Sequence, residues 1–100
     1  MARFGSKQPY EEYYVAFDFE ALIGVASVAS ATVIVYDSTG ATVTSTITVV
    51  ANQVIDSPLV NVWVQGGVTD NEYKITCRAT TDASPQERYE LDADLPVAEV

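Results

Sequence analysis

The sequence predicts an all-β fold, a small immunoglobulin-like antiparallel β-sandwich with an extended N-terminal arm. Three observations carry that expectation. Residues 59–65 form an apolar run that breaks at Gly66-Gly67, and residues 72–81 resume with strict apolar/polar alternation, the pattern of a hairpin. Short runs of the same period recur along the chain with Asp, Asn, Ser, Gly or Pro between them. Thr and Val, β-branched and poor in helices, crowd the middle of the chain. The disulfide and tryptophan signature of antibody domains is missing, so the expectation concerns architecture alone.

Taken in order, residues 1–12 hold Arg3, Lys7, Pro9, Glu11 and Glu12 without hydrophobic periodicity and read as an arm. The sandwich domain is expected over 13–95 and a tail over 96–100. A first strand at 13–19 puts Tyr13, Val15, Phe17 and Phe19 on one face. Glu20–Gly24 reads as a short helical turn or crossover. A strand at 31–36 ends in the turn Asp37-Ser38-Thr39-Gly40. The alternation of Thr42, Thr44, Thr46 and Thr48 against Val43, Ser45, Ile47 and Val49 predicts a strand over 41–50. A short piece at 53–55 leads through Ser57-Pro58 into 59–65. Strand 72–81 faces Tyr73, Ile75, Cys77 and Ala79 inward, and a last strand at 86–95 does the same with Tyr89, Leu91, Ala93 and Leu95.

A chain of 100 residues with 48% apolar and 10% aromatic content is one domain with a modest packed core. Fourteen acids against five bases give a net charge of -9. That sign repels phosphate backbones and anionic membranes, which excludes nucleic acid and membrane as partners. Cys77 is the single cysteine, so no intramolecular disulfide forms and a reducing cytoplasm suits folding. No long apolar run follows the basic residues of the N-terminus, unlike a secretory signal. The charge-free stretch 21–36 falls short of the roughly 20 apolar residues of a membrane helix. A soluble protein is expected.

Charge is unevenly spread. Between Glu20 and Asp56 the only charged residue is Asp37, and no basic residue occurs between Lys7 and Lys74. Soluble β domains commonly guard exposed edges with charge. Two strands are apolar on both faces: Val33 and Val35 with Ile34 and Tyr36, and Val60, Val62 and Val64 with Trp63. A sandwich strand needs only one apolar face. Either Thr and Ser hydrate the middle strands and local segments cover the rest, or the second face is buried against another chain. On the latter reading Phe4, Tyr10, Tyr36 and Trp63 are the partner-binding residues, since aromatic side chains anchor such contacts.

Catalytic chemistry is hard to build from these residues. With no histidine, Ser-His-Asp and Cys-His arrangements are impossible and zinc loses its commonest non-sulfur ligand. Cys77, between Ile75 and Ala79, reads as a buried inert thiol. Glu90, Asp92 and Asp94 share a strand face with Arg88 as a solvated row rather than a glycosidase pair. Asp70-Asn71-Glu72 lacks calcium-loop spacing, and Gly66-Gly67 precedes a strand rather than a phosphate-binding helix. No catalytic residue, cofactor or metal is expected, and the chain is not read as an enzyme.

The string Val62-Trp63-Val64-Gln65-Gly66-Gly67-Val68-Thr69, with Tyr73 and then Ile75-Thr76 to Arg78-Ala79-Thr80-Thr81, resembles the phage fibre-tail adaptor family of bacteriophage virion proteins. Lys7-Gln8-Pro9, Tyr14 to Asp18-Phe19 at shifted spacing, and Glu87-Arg88-Tyr89 stand where that family has matching elements. The likeness covers about 7–95; Asp82-Ala83-Ser84-Pro85 and Gln65 depart from the family pattern. The resemblance implies a structural, non-enzymatic adaptor in a tailed-phage virion, made in the bacterial cytoplasm. It would join tail, portal or connector to fibre or other virion proteins in a symmetric multi-copy assembly. Two alternatives stay open: a capsid decoration or cement protein bound to the major capsid protein, and an adhesion or carbohydrate-binding β-sandwich module.

Overall fold

The computed structural model describes residues 2–98; Met1 of the expected arm and Glu99 and Val100 of the expected tail lie outside them. Alternation builds most of the expected strands, and the last one runs on through Pro96 and Val97, which the sequence assigns to the tail. β1 (Ala2–Arg3) precedes β2 (Tyr13–Asp18), α1 (Glu20–Ile23) and β3 (Val28–Tyr36). A helical turn, α2 (Thr44–Ile47), and a 3-10 turn (Val50–Asn52) lead to β4 (Val54–Asp56), β5 (Leu59–Val64), β6 (Asn71–Thr81) and β7 (Arg88–Val97). Two sheets result, one ordered β1-β7-β6-β3 and the other β2-β5-β4. Their apolar faces meet in a sandwich-like, all-β domain. The pairing is antiparallel throughout except for β1, which joins β7 in parallel. Among the described residues no helix is long and apolar enough to cross a membrane.

The core lies where period-two parity puts it. Val15 and Phe17 of β2 and Val60, Val62 and Val64 of β5 are buried with Val33, Val35, Tyr73, Ile75, Cys77, Ala79, Ala93 and Leu95. Each buried Val, Leu, Ile or Phe contributes about 1.5–3 kcal/mol. Burial also pushes the Cys77 thiol up to about 12. Gly66 and Gly67 open the β5–β6 connection at positive φ, 57° and 95°. A Cβ on Gly67 would lie 2.8 Å from Val97 Cγ2, so close approach as well as backbone conformation requires glycine there.

The expected strand over 41–50 is not formed. Asp37 Oδ1 accepts hydrogen bonds from the Thr39 hydroxyl (2.6 Å) and from the N–H groups of Thr39 (2.9 Å) and Ala41 (3.0 Å), and the chain folds back. It pairs at a single bridge, Tyr36 with Thr42, and Val43 N–H still donates to the Val35 carbonyl at 2.8 Å. There the ladder stops. The hydroxyl of Thr44 accepts from Val35 N–H at 3.1 Å, in the place a strand carbonyl would take. The released backbone turns into α2, closed by Thr48 N–H to the Thr44 carbonyl at 3.0 Å. Thr hydroxyls compete with backbone partners in this way, and alternation does not register it. The turn delivers Ile47 into the core with no exposed surface.

The segment 2–12 is ordered against the domain. Phe4 N–H donates to the Asp94 carbonyl, Lys7 N–H to the Pro96 carbonyl and Ala98 N–H to the Lys7 carbonyl, each at 2.9 Å. Lys7 is completely buried. Its ammonium donates to the carbonyls of Gln8 (2.7 Å), Pro9 (3.3 Å) and Gly66 (2.6 Å), tying the arm to the β5–β6 connection. Desolvation lowers its pKa, with Glu11 and then Glu12 opposing the shift.

Candidate interaction surface

The two outward faces of the sandwich differ in kind. On the four-stranded sheet, register sets Lys74 opposite Asp94, Thr76 opposite Asp92 and Arg78 opposite Glu90. Arg78 Nε donates to Glu90 at 2.7 Å, the Thr76 hydroxyl to Asp92 at 2.6 Å, and Arg3 pairs with Glu72. Glu90, by hydrogen bond and charge, pushes the Arg78 pKa up. Tyr36 belongs to this face, with the Lys74 ammonium 5.0 Å above its ring centroid. A cross-strand polar ladder of this kind is well hydrated by itself.

The outer face of the three-stranded sheet carries no such ladder. Tyr14 stands opposite Trp63, Ala16 opposite Asn61 and Asp18 opposite Leu59, while Val54 flanks Asn61 and Asp56 flanks Leu59. Tyr14 and Trp63 meet edge to face, with centroids 5.1 Å apart and planes at 74°. The Tyr14 hydroxyl donates to the Asn52 carbonyl at 2.8 Å, and Trp63 Nε1–H to Gln65 Oε1 at 3.3 Å, so both rings are oriented. Tyr14 and Val54 are each 46% exposed. Asp18 and Asp56 lie together at the end opposite Trp63. The rest of the face is uncharged.

The four residues expected to bind partners are therefore dispersed. Trp63 lies on the uncharged face, half-buried beside Tyr14. Tyr36 lies on the opposite, charged face. Phe4 turns inward and packs edge-on against Phe17, with centroids 5.4 Å apart and planes at 84°. Tyr10, 96% exposed, projects from a turn within the arm, where Pro9, Glu11, Glu12, Tyr13 and Gly66 line a shallow cleft at the Trp63 end. Tyr14 and Val54 were missed as members of the surface. For Tyr14 the signal was present: it is the one large aromatic out of phase with Tyr13, Val15, Phe17 and Phe19.

Comparison with known proteins gives one finding. The family model described as podophage GP4 fiber-tail adaptor protein gp77 matches residues 7–94, nearly the whole sandwich and the second half of the arm. No curated protein and no solved structure matches the chain.

Proposed function

Because the chain belongs to the podophage fibre-tail adaptor family, we propose that it is a non-enzymatic structural part of a tailed-phage virion, joining tail or connector to fibre or neighbouring virion proteins through protein–protein contacts. The observation that carries this reading is the outer face of the β2-β5-β4 sheet, which is free of charge at the end holding Tyr14, Trp63 and Val54 and carries Asp18 and Asp56 only at the other. An aromatic-apolar cluster without charge on so acidic a chain marks a protein contact. Trp63 and Tyr14 are its anchors. Tyr10 adds an exposed ring at the same end. Tyr36 and Phe4, occupied by Lys74 and Phe17, contribute less. The molecule measures 45 × 23 × 22 Å, so its two ends reach different neighbours. Residues 1–12 act as an arm clamped to the sandwich domain, and several copies follow the rotational symmetry of the virion.

A carbohydrate-binding role calls for aromatic rings laid flat to receive a sugar. Tyr14 and Trp63, at 74° to each other, do not form a coplanar platform. The adaptor reading is tested by complementing a phage that lacks the protein with wild type, Trp63→Ala or Tyr14→Ala. Wild type enters particles and the variants do so poorly while remaining folded. Normal incorporation of both variants, or glycan binding by the isolated protein, would overturn the reading.

A further inference from the structure

One flank of the sandwich is closed and the other open. On the closed flank the connection from β3 to β4 seals the β3 edge: Val35 N–H is bound by Thr44, Val43 N–H by Val35, and the Ala31 carbonyl by Gln53 Nε2 at 3.1 Å. On the open flank the edges of β2 and β7 face each other across a groove lined by Phe4, Ala16, Asp18, Glu90, Leu91 and Asp92, among others. Alternation fixes which backbone groups point into it. Phe19 N–H donates to Pro58, so odd residues of β2 face β5 and Tyr14, Ala16 and Asp18 face the groove. Likewise Thr81 N–H donates to Glu87 and Asp70 N–H to Val97, so odd residues of β7 face β6, and Arg88, Glu90 and Asp92 face outward. The arm already shows what this edge accepts: β1 adds in parallel at Ala93 and Asp94, and the arm pairs again where Lys7 bridges Val97.

We propose that this groove receives an extended, basic segment of a partner protein, which continues the sheet past β1 along the N-terminal half of β7. The mode is strand addition: backbone hydrogen bonds give affinity and alternate side chains give specificity. Phe4, Leu91 and Ala16 supply an apolar floor. Asp18, Glu90 and Asp92 supply the charge. Arg78 pairs with Glu90, but Asp18 and Asp92 form no ion pair among the described residues. A second copy of this chain is the poorer occupant, because two chains of net charge -9 repel one another and Glu90 and Asp92 leave each β7 edge with more acid than Arg88 can pair. The inference rests on the adaptor reading only in taking the partner to be a virion protein.

The test uses the isolated full-length chain and a labelled synthetic decapeptide alternating valine and lysine. Fluorescence anisotropy at low salt should show saturable binding. N-methylation of either the valine or the lysine amides should abolish it in at least one case, since one set must bond the edge. Amide exchange should slow at Glu90 and Asp92 when peptide is added. Asp18→Asn with Asp92→Asn, which keeps shape and acceptor oxygens, should weaken binding about three- to tenfold. Four results would overturn the proposal: no binding, equal binding of both methylated peptides, protection confined to the Tyr10 cleft or the Trp63 face, or a homodimer that the peptide displaces. Peptide binding is read on the isolated protein and incorporation on particles, so failure here leaves the adaptor reading standing, and failure there leaves this one.

Discussion

At the scale of single residues, three positions show how far one side chain decides the outcome. Trp63 is oriented by Gln65 and Tyr14 and is only partly exposed. Trp63→Ala should cost the isolated domain about 1 kcal/mol through the lost aromatic contact and weaken particle incorporation further. Chemical denaturation and particle yield measure the two separately. Gly67 combines a φ of 95° with contact to Val97. Gly67→Ala should lower stability by about 1–3 kcal/mol, seen as a fall in the denaturation midpoint. Cys77 is buried with its pKa pushed to about 12, against an ordinary 9.0. The folded state therefore holds the thiol proton that the unfolded chain releases. Its contribution to stability is full below pH 9 and declines as pH rises towards 12. Tyr13, raised first by desolvation and then by Glu11, acts in the same sense, and Lys7, lowered, in the opposite one. Denaturation across that range should show a shallower alkaline decline for Cys77→Ala, and a thiol reagent at pH 8 should label Cys77 only once the chain unfolds.

At the scale of elements, the arm and the failed strand matter most. The Lys7 ammonium fills the gap between the arm and Gly66 with three carbonyl contacts. Lys7→Met should keep most of the packing, lose those bonds and cost about 1–3 kcal/mol. Amide exchange should then speed up at Phe4 and Ala98 before the β6–β7 core responds; uniform acceleration would mean the arm is not a separate unit. Much of this architecture was legible in the sequence. While β5 was read from its apolar run before Gly66-Gly67, alternation placed β2, β6 and β7 and nearly all their core residues, because a half-buried strand leaves that imprint directly. It gave the wrong element at 41–50, where Thr44 substitutes its hydroxyl for a ladder bond. It gave no pairing for β1, whose partner is chosen by an exposed edge far along the chain. The interaction surface was half legible. Trp63 stood out as an apolar residue on an outward face and Tyr14 was marked by its phase against Tyr13, Val15 and Phe17, but that the two rings meet became visible only through cross-strand register. Tyr36 and Trp63 seemed alike and lie on opposite faces, a distinction that sheet order alone supplies.

At the scale of the whole molecule, the fold segregates charge. The β1-β7-β6-β3 sheet turns a ladder of paired acids and bases to its surroundings. The β2-β5-β4 sheet turns out a face whose Tyr14, Trp63 and Val54 end is free of charge, with Asp18 and Asp56 beside Leu59 at the other. An acidic exterior disfavours like-with-like association. On the proposed reading, the Tyr14 and Trp63 end is left for a different protein surface. Membership of the fibre-tail adaptor family accords with such a division of labour. Side-chain-resolution imaging of intact phage particles tests the claim most directly. The account predicts the chain within the tail region in several copies, with Tyr14 and Trp63 packed against another virion protein. A particle in which that face is open to solvent, or from which the chain is missing, would contradict it.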